Sequence, residues 1–147
     1  MTIRTRPATE SDLPALLALY AELHPGDPAP SPDSALAVWR QIATQAGRTI
    51  LVAESGDAVV GTVDCAVLPN LTRNARPLML VENVVVTATS RGSGIGTALL
   101  TAAVALARSA GCYKIQLLSR ASREVAHAFY ESNGFRAVAQ GYRLYVD

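Results

Sequence analysis

The segment Arg91-Gly92-Ser93-Gly94-Ile95-Gly96 has the composition of a loop that holds a phosphate group. It joins a β-branched apolar run to an alanine-rich run with helical character, so it is interpreted as a strand-to-helix turn. Glycine permits positive φ and lets main-chain N–H groups approach a ligand closely. The start of the following helix adds a partial positive charge, and Arg91 adds a charge-assisted contact. The pattern favours phosphate binding, and the alternative is a tight turn without a ligand.

Three phosphate-binding motifs can be compared with this turn. A Walker A loop ends in Gly-Lys-Ser/Thr, and the chain has one lysine, Lys114, which lies elsewhere. A dinucleotide-binding fingerprint places Thr97 where a third glycine is needed, and no acidic residue follows about twenty positions later. The third pattern, R-x-x-G-x-G at Arg91, Gly94 and Gly96, resembles the signature of GNAT-type N-acetyltransferases. The strand ENVVV, the later run FYESNGF and the element order resemble this family over nearly the whole chain.

The resemblance implies acetyl-CoA as the acetyl donor and no metal. It assigns the cofactor to two neighbouring segments. In the family, the main chain of the strand before the signature binds the pantetheine arm, which here corresponds to Val84, Val85 and Val86. The backbone of the signature binds the pyrophosphate, which here corresponds to Arg91, Gly92, Ser93, Gly94, Ile95, Gly96 and Thr97. By themselves, the valines indicate only a buried strand.

Tyr130 matches the family tyrosine that lies near the sulfur of the cofactor. The leaving thiolate needs a proton. A phenol can donate one, because its pKa of about 10 is close to the pKa of about 8.5 of the thiol that forms. The resemblance therefore implies that Tyr130 is the general acid. The alternative is that Tyr130, beside Phe129, only packs its helix on the sheet. His127, three residues earlier on roughly the same helix face, is interpreted as structural.

Glu82 is the candidate for the base that takes a proton from the attacking amine, directly or through a water. Its charge interrupts an apolar strand, where an ionised group is costly unless it is paired or lines a cavity. The alternative is a structural ion pair with an arginine. Some family members, including glucosamine-phosphate acetyltransferases, have a Glu-Asp pair here, whereas this chain has Glu82-Asn83. Asp64, on the preceding strand, is a weaker alternative base.

Other positions carry less specific information. Ser119, at a strand end, could contact cofactor or substrate, although a plain strand end explains it nearly as well. Arg123 stands where many family members have an asparagine. Direct attack needs no protein nucleophile, so Cys65 and Cys112, which lack metal-type spacing, are interpreted as small hydrophobic residues.

The acceptor is expected to be a small primary amine. The runs GCYKIQL and ENVVV resemble sugar-phosphate acetyltransferases, and AHAFYESNGF resembles aminoalkylphosphonate acetyltransferases. Arg73, Arg76 or Arg120 could bind an anionic group on such an amine, although each is equally well interpreted as a solvated surface residue. Two alternatives stay open: a peptide or protein acceptor, and a non-catalytic module that only holds acetyl-CoA.

Length and charge exclude several other classes. The 147 residues fit one domain, 1–147, with a single core. A net charge of +1 argues against a nucleic-acid binder and against a polybasic membrane anchor. No apolar run approaches the roughly 20 residues that span a bilayer, and the polar start lacks a signal-peptide core. The sequence predicts a cytoplasmic protein, and a homodimer is one option because related folds often dimerise through terminal elements.

The elements that must position these residues follow from hydrophobic periodicity. A strand at Ile3 is followed by two helices. The N-cap of the first is Ser11 or Thr9, with Ser11 preferred because it leaves Pro14 in the first turn, and the second helix ends at Gly47. A hairpin turns at Gly56-Asp57, and the tail 136–147 is expected to form two short strands. The prediction is an α/β GNAT fold, in which a mixed, mostly antiparallel sheet of about seven strands is splayed in the middle and flanked by four helices.

Overall fold

Apart from one short helix between the third and fourth strands, strands and helices follow one another in the predicted order as far as the last helix. In a computed structural model, which describes residues 2–147, the chain divides into two compact units, with the boundary between Gln116 and Leu117. The strands are β1 (Ile3–Pro7), β2 (Arg48–Ser55), β3 (Ala58–Leu68), β4 (Leu78–Val86) and β5 (Ile115–Leu117). The helices are α1 (Leu13–Leu23), α2 (Pro32–Thr44), α3 (Thr72–Ala75), α4 (Ile95–Ser109) and α5 (Glu124–Ser132).

The five strands form one sheet in sequence order. β1 to β4 pair antiparallel, and the predicted turn at Gly56-Asp57 joins β2 to β3, with a φ of 62° at Gly56. Just before β5, the N–H of Tyr113 donates to the carbonyl of Pro77, and the N–H of Met79 donates to the carbonyl of Lys114, each at 3.0 Å. Residue numbers increase together along these two bonds, so this edge is parallel and the sheet is mixed.

Helices cover both faces of the sheet in the N-terminal unit. On one face, Leu16 of α1 and Trp39 of α2 pack with Ile50 and Val52 of β2. On the other face, a Cβ at Gly61 of β3 would lie 3.0 Å from a methyl group of Ile95 and 3.1 Å from one of Leu99. The absence of a side chain at Gly61 therefore lets the start of α4 pack directly on β3.

An ion-pair network connects β1 with the start of α1 and with β2. The Arg6 guanidinium donates to both oxygens of Asp12, at 2.7 and 2.9 Å, and to Glu54 at 2.9 Å. Asp12 also accepts from the N–H of Thr9 at 2.7 Å. The hydrogen bonds from Arg6 lower the pKa of Asp12 to about 2. Asp12 is the N-cap residue of α1, so the preferred cap at Ser11 is wrong by one position, and the alternative, Thr9, is the N-cap residue of the 3-10 turn Glu10–Asp12 before α1.

The predicted numbers of strands and helices are wrong: among residues 2–147 the sheet has five strands rather than seven, and there are five α-helices rather than four. The tail 136–147 contains no strand among the described residues, because alternating apolar side chains form a strand only beside a partner strand. Its side chains are instead exposed, with Tyr142 at 85% and Val146 at 94%. The helix that was not predicted is α3. It has four residues, and residues 73–75 are left-handed, so the sequence shows no helical periodicity there. α2 ends at Thr44 rather than at Gly47.

Neither cysteine forms a disulfide bond. Burial raises the pKa of the Cys65 thiol to about 12, so at neutral pH it behaves as a small hydrophobic residue.

Within residues 2–147, no helix is long and apolar enough to cross a bilayer. In the same range, no three His, Cys, Asp or Glu side chains are grouped as metal ligands would be.

Candidate active site

The glycine loop, residues 91–96, connects the turn after β4 to the start of α4, as the sequence predicts. Gly92 and Gly94 have φ values of 81° and 85°, which only glycine adopts without cost. A Cβ at either position would meet no atom within 4 Å, so glycine is needed here for backbone conformation and not for close packing. Gly94 is the N-cap residue of α4, and no side chain caps this helix.

The N–H groups of this loop and of the first turn of α4 form an array of donors. Among the described residues, the N–H groups from Gly92 to Thr97 donate to no other group of the chain; the first bond inside the helix runs from Ala98 to the carbonyl of Gly94, at 3.0 Å. Arg91 is exposed, and its Nε donates to the carbonyl of Val86 at 3.2 Å. Backbone donors, a helix N-terminus and a guanidinium therefore meet in one loop, which suits an anion.

A β-bulge interrupts β4 immediately before this loop. Asp64 pairs with Glu82 and Thr62 pairs with Val85, so two residues of β4 lie opposite one residue of β3. Asn83 lies in the bulge with a φ of 52°. Bulges redirect side chains and are common next to active sites. The bulge was not predicted from the sequence, although an asparagine, which tolerates left-handed φ, within a β-branched run was a usable signal.

The two carboxylates that pair across β3 and β4 have different surroundings. Asp64 is 4% exposed, and the Arg48 guanidinium contacts both of its oxygens at 2.6 Å. These bonds raise the pKa of Arg48. The side chain of Glu82 is exposed, and its carboxylate forms no hydrogen bond or ion pair within residues 2–147, whereas its backbone pairs with Asp64. The alternative of a structural ion pair therefore describes Asp64, and the carboxylate of Glu82 is available to a ligand.

Residues 84–86 lie between the bulge and the glycine loop. Val85 is buried and pairs with Thr62, and Val86 pairs with Gly61. β5 has only three residues, and the segment that leads into it is hydrogen-bonded to Pro77 and Met79 at the beginning of β4. Three residues advance about 10 Å, so β5 ends before the level of residues 84–86. Within the N-terminal unit, no strand pairs with the second edge of residues 84–86.

Tyr130 lies on α5 in the C-terminal unit. Its ring contacts Phe129 and Phe135, with centroid distances of 5.4 and 6.0 Å. Its hydroxyl forms no hydrogen bond among the described residues. Burial raises the pKa of the phenol above its usual value, and the nearby charge of Arg123 opposes this shift. The phenol therefore carries its proton at neutral pH and has it available to donate.

Two further polar side chains of the C-terminal unit, those of Ser119 and His127, differ in whether they have a hydrogen-bond partner. The Ser119 hydroxyl is buried and has no hydrogen-bond partner among residues 2–147. Nε2 of His127 lies 2.8 Å from the carbonyl oxygen of Arg120, which supports its structural interpretation. A buried hydroxyl without a partner is costly, so Ser119 is a candidate for a ligand or water contact.

Arg73 and Arg76 lie next to the segment that follows α4. The Arg76 guanidinium donates to the carbonyls of Gly111 and Cys112, at 3.4 and 3.2 Å, and the Arg73 guanidinium lies 5.4 Å from the centroid of the Tyr113 ring. α4 has 15 residues and is about 22 Å long, with the glycine loop at its other end. Arg76 therefore binds the segment just after the C-terminal end of α4, and this end of the helix is distant from the glycine loop.

Comparison with known proteins identifies the family. The Acetyltransferase (GNAT) family profile matches residues 14–135, which run from the second residue of α1 to beyond the end of α5. The chain belongs to the GNAT acetyltransferase family. It is an acetyltransferase of that type, and this result confirms the family predicted from the glycine loop and the tyrosine run.

Individual GNAT proteins resemble the chain over nearly its full length. A glucosamine 6-phosphate N-acetyltransferase of Trypanosoma brucei brucei is 34% identical over 143 residues, which cover 97% of this chain and 95% of that protein. A solved structure from Agrobacterium tumefaciens str. C58, assigned as an acetyltransferase, has a TM-score of 0.94 and 40% identity over 97% of this chain and 99% of its own. A structure of a protein from Bacillus halodurans C-125, described as a transcriptional regulator, has a TM-score of 0.92 and 28% identity, and the match covers 99% of this chain and 100% of that chain.

GNAT acetyltransferases use acetyl-CoA, and the loop geometry fits its pyrophosphate. The free N–H donors between Gly92 and Thr97 match phosphate oxygens, and the positive φ values at Gly92 and Gly94 keep these donors free of side chains. The edge of residues 84–86 that no strand of the N-terminal unit pairs with offers backbone groups to an extended, amide-containing arm such as pantetheine, and the carbonyl of Val86 accepts a bond from Arg91 here. The donors of the glycine loop and this strand edge therefore fit the pyrophosphate and the pantetheine arm of acetyl-CoA.

Proposed function

We propose that the chain transfers the acetyl group of acetyl-CoA to the primary amine of a small molecule by direct attack, with Glu82 as base and Tyr130 as general acid. The observation that carries the proposal is the contrast between two facing carboxylates: Arg48 neutralises Asp64, whereas Glu82 is exposed and unpaired at the bulge that precedes the glycine loop. The bulge and the unpartnered charge set this part of β4 apart from a strand built only for packing.

The glycine loop and β4 would hold acetyl-CoA. Backbone N–H groups of residues 91–97 would bind its pyrophosphate, with the Arg91 guanidinium beside them, and the main chain of residues 84–86 would bind the pantetheine arm. When bound, acetyl-CoA supplies an acetyl thioester, whose carbonyl carbon is open to attack by an amine. Because the helix and the loop supply the positive potential locally, this site needs no basic surface.

Glu82 acts on the acceptor. A primary amine is protonated at neutral pH and has no lone pair for attack until its proton is removed. The Glu82 carboxylate accepts that proton, directly or through one water, and its exposure keeps it accessible to the acceptor. Arg48 occupies the carboxylate of Asp64 on the facing strand, so Asp64 is less suited to this role.

Tyr130 acts on the departing sulfur. Its phenolic O–H donates a proton as the carbon–sulfur bond breaks, which prevents release of a bare thiolate. The raised pKa of the phenol keeps that proton in place before the reaction. We expect Tyr130→Phe to lower kcat about 100-fold while the melting temperature changes little, because the aromatic contacts with Phe129 and Phe135 are retained. An unchanged kcat would remove Tyr130 from the mechanism.

A small amine bearing an anion is the proposed acceptor class. The relative from Trypanosoma brucei brucei is named for glucosamine 6-phosphate, and this supports the choice. The test is CoA release from acetyl-CoA with a panel of amino-sugar phosphates, aminoalkylphosphonates and peptides with free N-termini. Turnover restricted to the small phosphorylated or phosphonylated amines is expected. Turnover with the peptides alone would favour a peptide acetyltransferase, and tight acetyl-CoA binding without turnover would favour a non-catalytic module.

A homodimer is also proposed. The C-terminal unit exposes Val138, Tyr142, Leu144 and Val146 within residues 138–146, and several exposed apolar side chains in one segment are typical of a surface that a partner covers. Light scattering on the purified protein is expected to give the mass of two chains, and the mass of one chain at micromolar concentration would contradict the proposal. The cytoplasmic location stays a prediction from the sequence.

A further inference from the structure

Glu22, in the last turn of α1, contacts the segment that leads into the glycine loop. One of its carboxylate oxygens accepts a hydrogen bond from the hydroxyl of Thr87 at 2.8 Å, and the other accepts one from the backbone N–H of Ala88 at 2.9 Å. These residues lie 65 and 66 positions apart in the chain, so the contact joins two distant elements. Both Glu22 and its partners belong to the N-terminal unit.

The position of this carboxylate is unfavourable for α1 itself. The C-terminal end of a helix carries a partial negative charge, which repels an acidic side chain in the last turn. The hydrogen bonds from Ala88 and Thr87, together with the charge of Arg91, nevertheless lower the pKa of Glu22, so the group is ionised at neutral pH. The contacts with the β4–α4 connection therefore offset the unfavourable placement at the end of α1.

Glu22 performs the capping function for a turn that does not cap itself. Residues 88–90 form a 3-10 turn, and Thr87 precedes it in the N-cap position without capping it. The Thr87 hydroxyl donates to Glu22 instead of accepting from the turn, and Glu22 accepts from Ala88, the first N–H of the turn. The turn runs directly into Arg91 and the glycine loop.

We propose that Glu22 is a positioning residue for acetyl-CoA binding, which fixes the start of the glycine loop so that the donors of residues 91–97 are preorganised for the pyrophosphate. This inference rests on the proposed acetyl-CoA site. A displaced loop loses several weak donor contacts together, so the effect belongs to cofactor affinity and not to the chemical step. Glu22 is exposed, so removing its carboxylate affects the local connection more than the core.

The test is calorimetric measurement of the Kd for acetyl-CoA, with KM and kcat where turnover is found. Glu22→Gln and Thr87→Val are each expected to raise Kd and the KM for acetyl-CoA about five-fold, with kcat changing less than two-fold. Thr87→Ser, which keeps the hydroxyl, restores tight binding. The double variant binds no more weakly than the weaker single variant, because both changes break the same contact. Glu10→Gln, which removes another exposed carboxylate charge, leaves Kd unchanged.

The outcomes separate this inference from the proposed function. If the wild-type protein bound acetyl-CoA but Glu22→Gln and Thr87→Val bound it equally well, the positioning role would be wrong and the acetyl-CoA site would stand. A fall in melting temperature without a change in Kd would likewise reduce Glu22 to a structural contact. If the wild-type protein itself did not bind acetyl-CoA, the proposed function would fail, and the inference with it.

Discussion

At the residue scale, two carboxylates that face each other across the sheet show that environment, and not residue type, decides their roles. Asp64 is buried, and its charge is neutralised by two short bonds from Arg48. Glu82, its partner in register, is exposed and unpaired within residues 2–147. The sequence predicted a choice between these two residues for the base, and the ion pair at Asp64 now favours Glu82.

This contrast predicts that two similar substitutions differ in their effect on stability. Asp64→Asn leaves the guanidinium of Arg48 without its anionic partner in a partly buried site, and we expect it to lower the free energy of unfolding by about 2 kcal/mol. Glu82→Gln removes no contact within the described chain and is expected to leave stability unchanged. Urea denaturation of both variants measures this directly, and equal losses of stability would show that Glu82 has a structural partner after all.

At the element scale, local sequence signals predicted the elements whose structure is local. Helical patterns in the sequence predicted α1, α2, α4 and α5, and Gly56-Asp57 predicted the hairpin turn between β2 and β3. Features that depend on a neighbouring segment were missed. The bulge at Asn83 is defined by pairing with β3, and the tail lacks strands because no partner strand supplies hydrogen bonds. The contact of Glu22 is set by tertiary structure alone.

α4 offers a matched pair of glycines for testing the role of its N-terminus. Gly94 before the helix and Gly111 after it have φ values of 85° and 78°, and a Cβ at either would meet no atom within 4 Å. Gly94→Ala and Gly111→Ala are each expected to cost about 1 kcal/mol of stability, because alanine is strained at positive φ. Only Gly94→Ala is expected to weaken acetyl-CoA binding in a calorimetric titration. Equal weakening by both variants would mean that the loss follows stability and not the glycine loop.

At the scale of the whole molecule, the near-neutral charge agrees with an anion site built from local groups. The net charge is +1, and arginine supplies 12 of the 13 basic residues, since Lys114 is the only lysine. Several of these arginines are engaged within the chain: Arg6 with Asp12 and Glu54, and Arg48 with Asp64. In the proposed site, positive potential for acetyl-CoA would come from the glycine loop, the start of α4 and Arg91.

The network at Asp12 predicts how stability depends on pH. Arg6 lowers the pKa of Asp12 to about 2 in the folded state, from about 3.8 in the unfolded state. The carboxylate therefore stabilises the fold fully above pH 4, and this contribution is lost as the pH falls through 2. We expect Asp12→Asn to cost about 1 kcal/mol at pH 7, an amount reduced by the partial exposure of Arg6. Thermal denaturation between pH 7 and pH 2 should show the two proteins converging, and a constant difference would contradict the linkage.

The rate of CoA release with a small amine acceptor, compared between the wild-type protein and Glu82→Gln, tests the proposed mechanism most directly. Because the amide of glutamine cannot accept the proton of the amine, kcat/KM for the acceptor is expected to fall about 100-fold. The Kd for acetyl-CoA is expected to stay unchanged, and Glu10→Gln, as a control, to retain the wild-type rate. If Glu82→Gln released CoA as fast as the wild-type protein, Glu82 would not be the base, and the mechanism proposed for this acetyltransferase would be wrong.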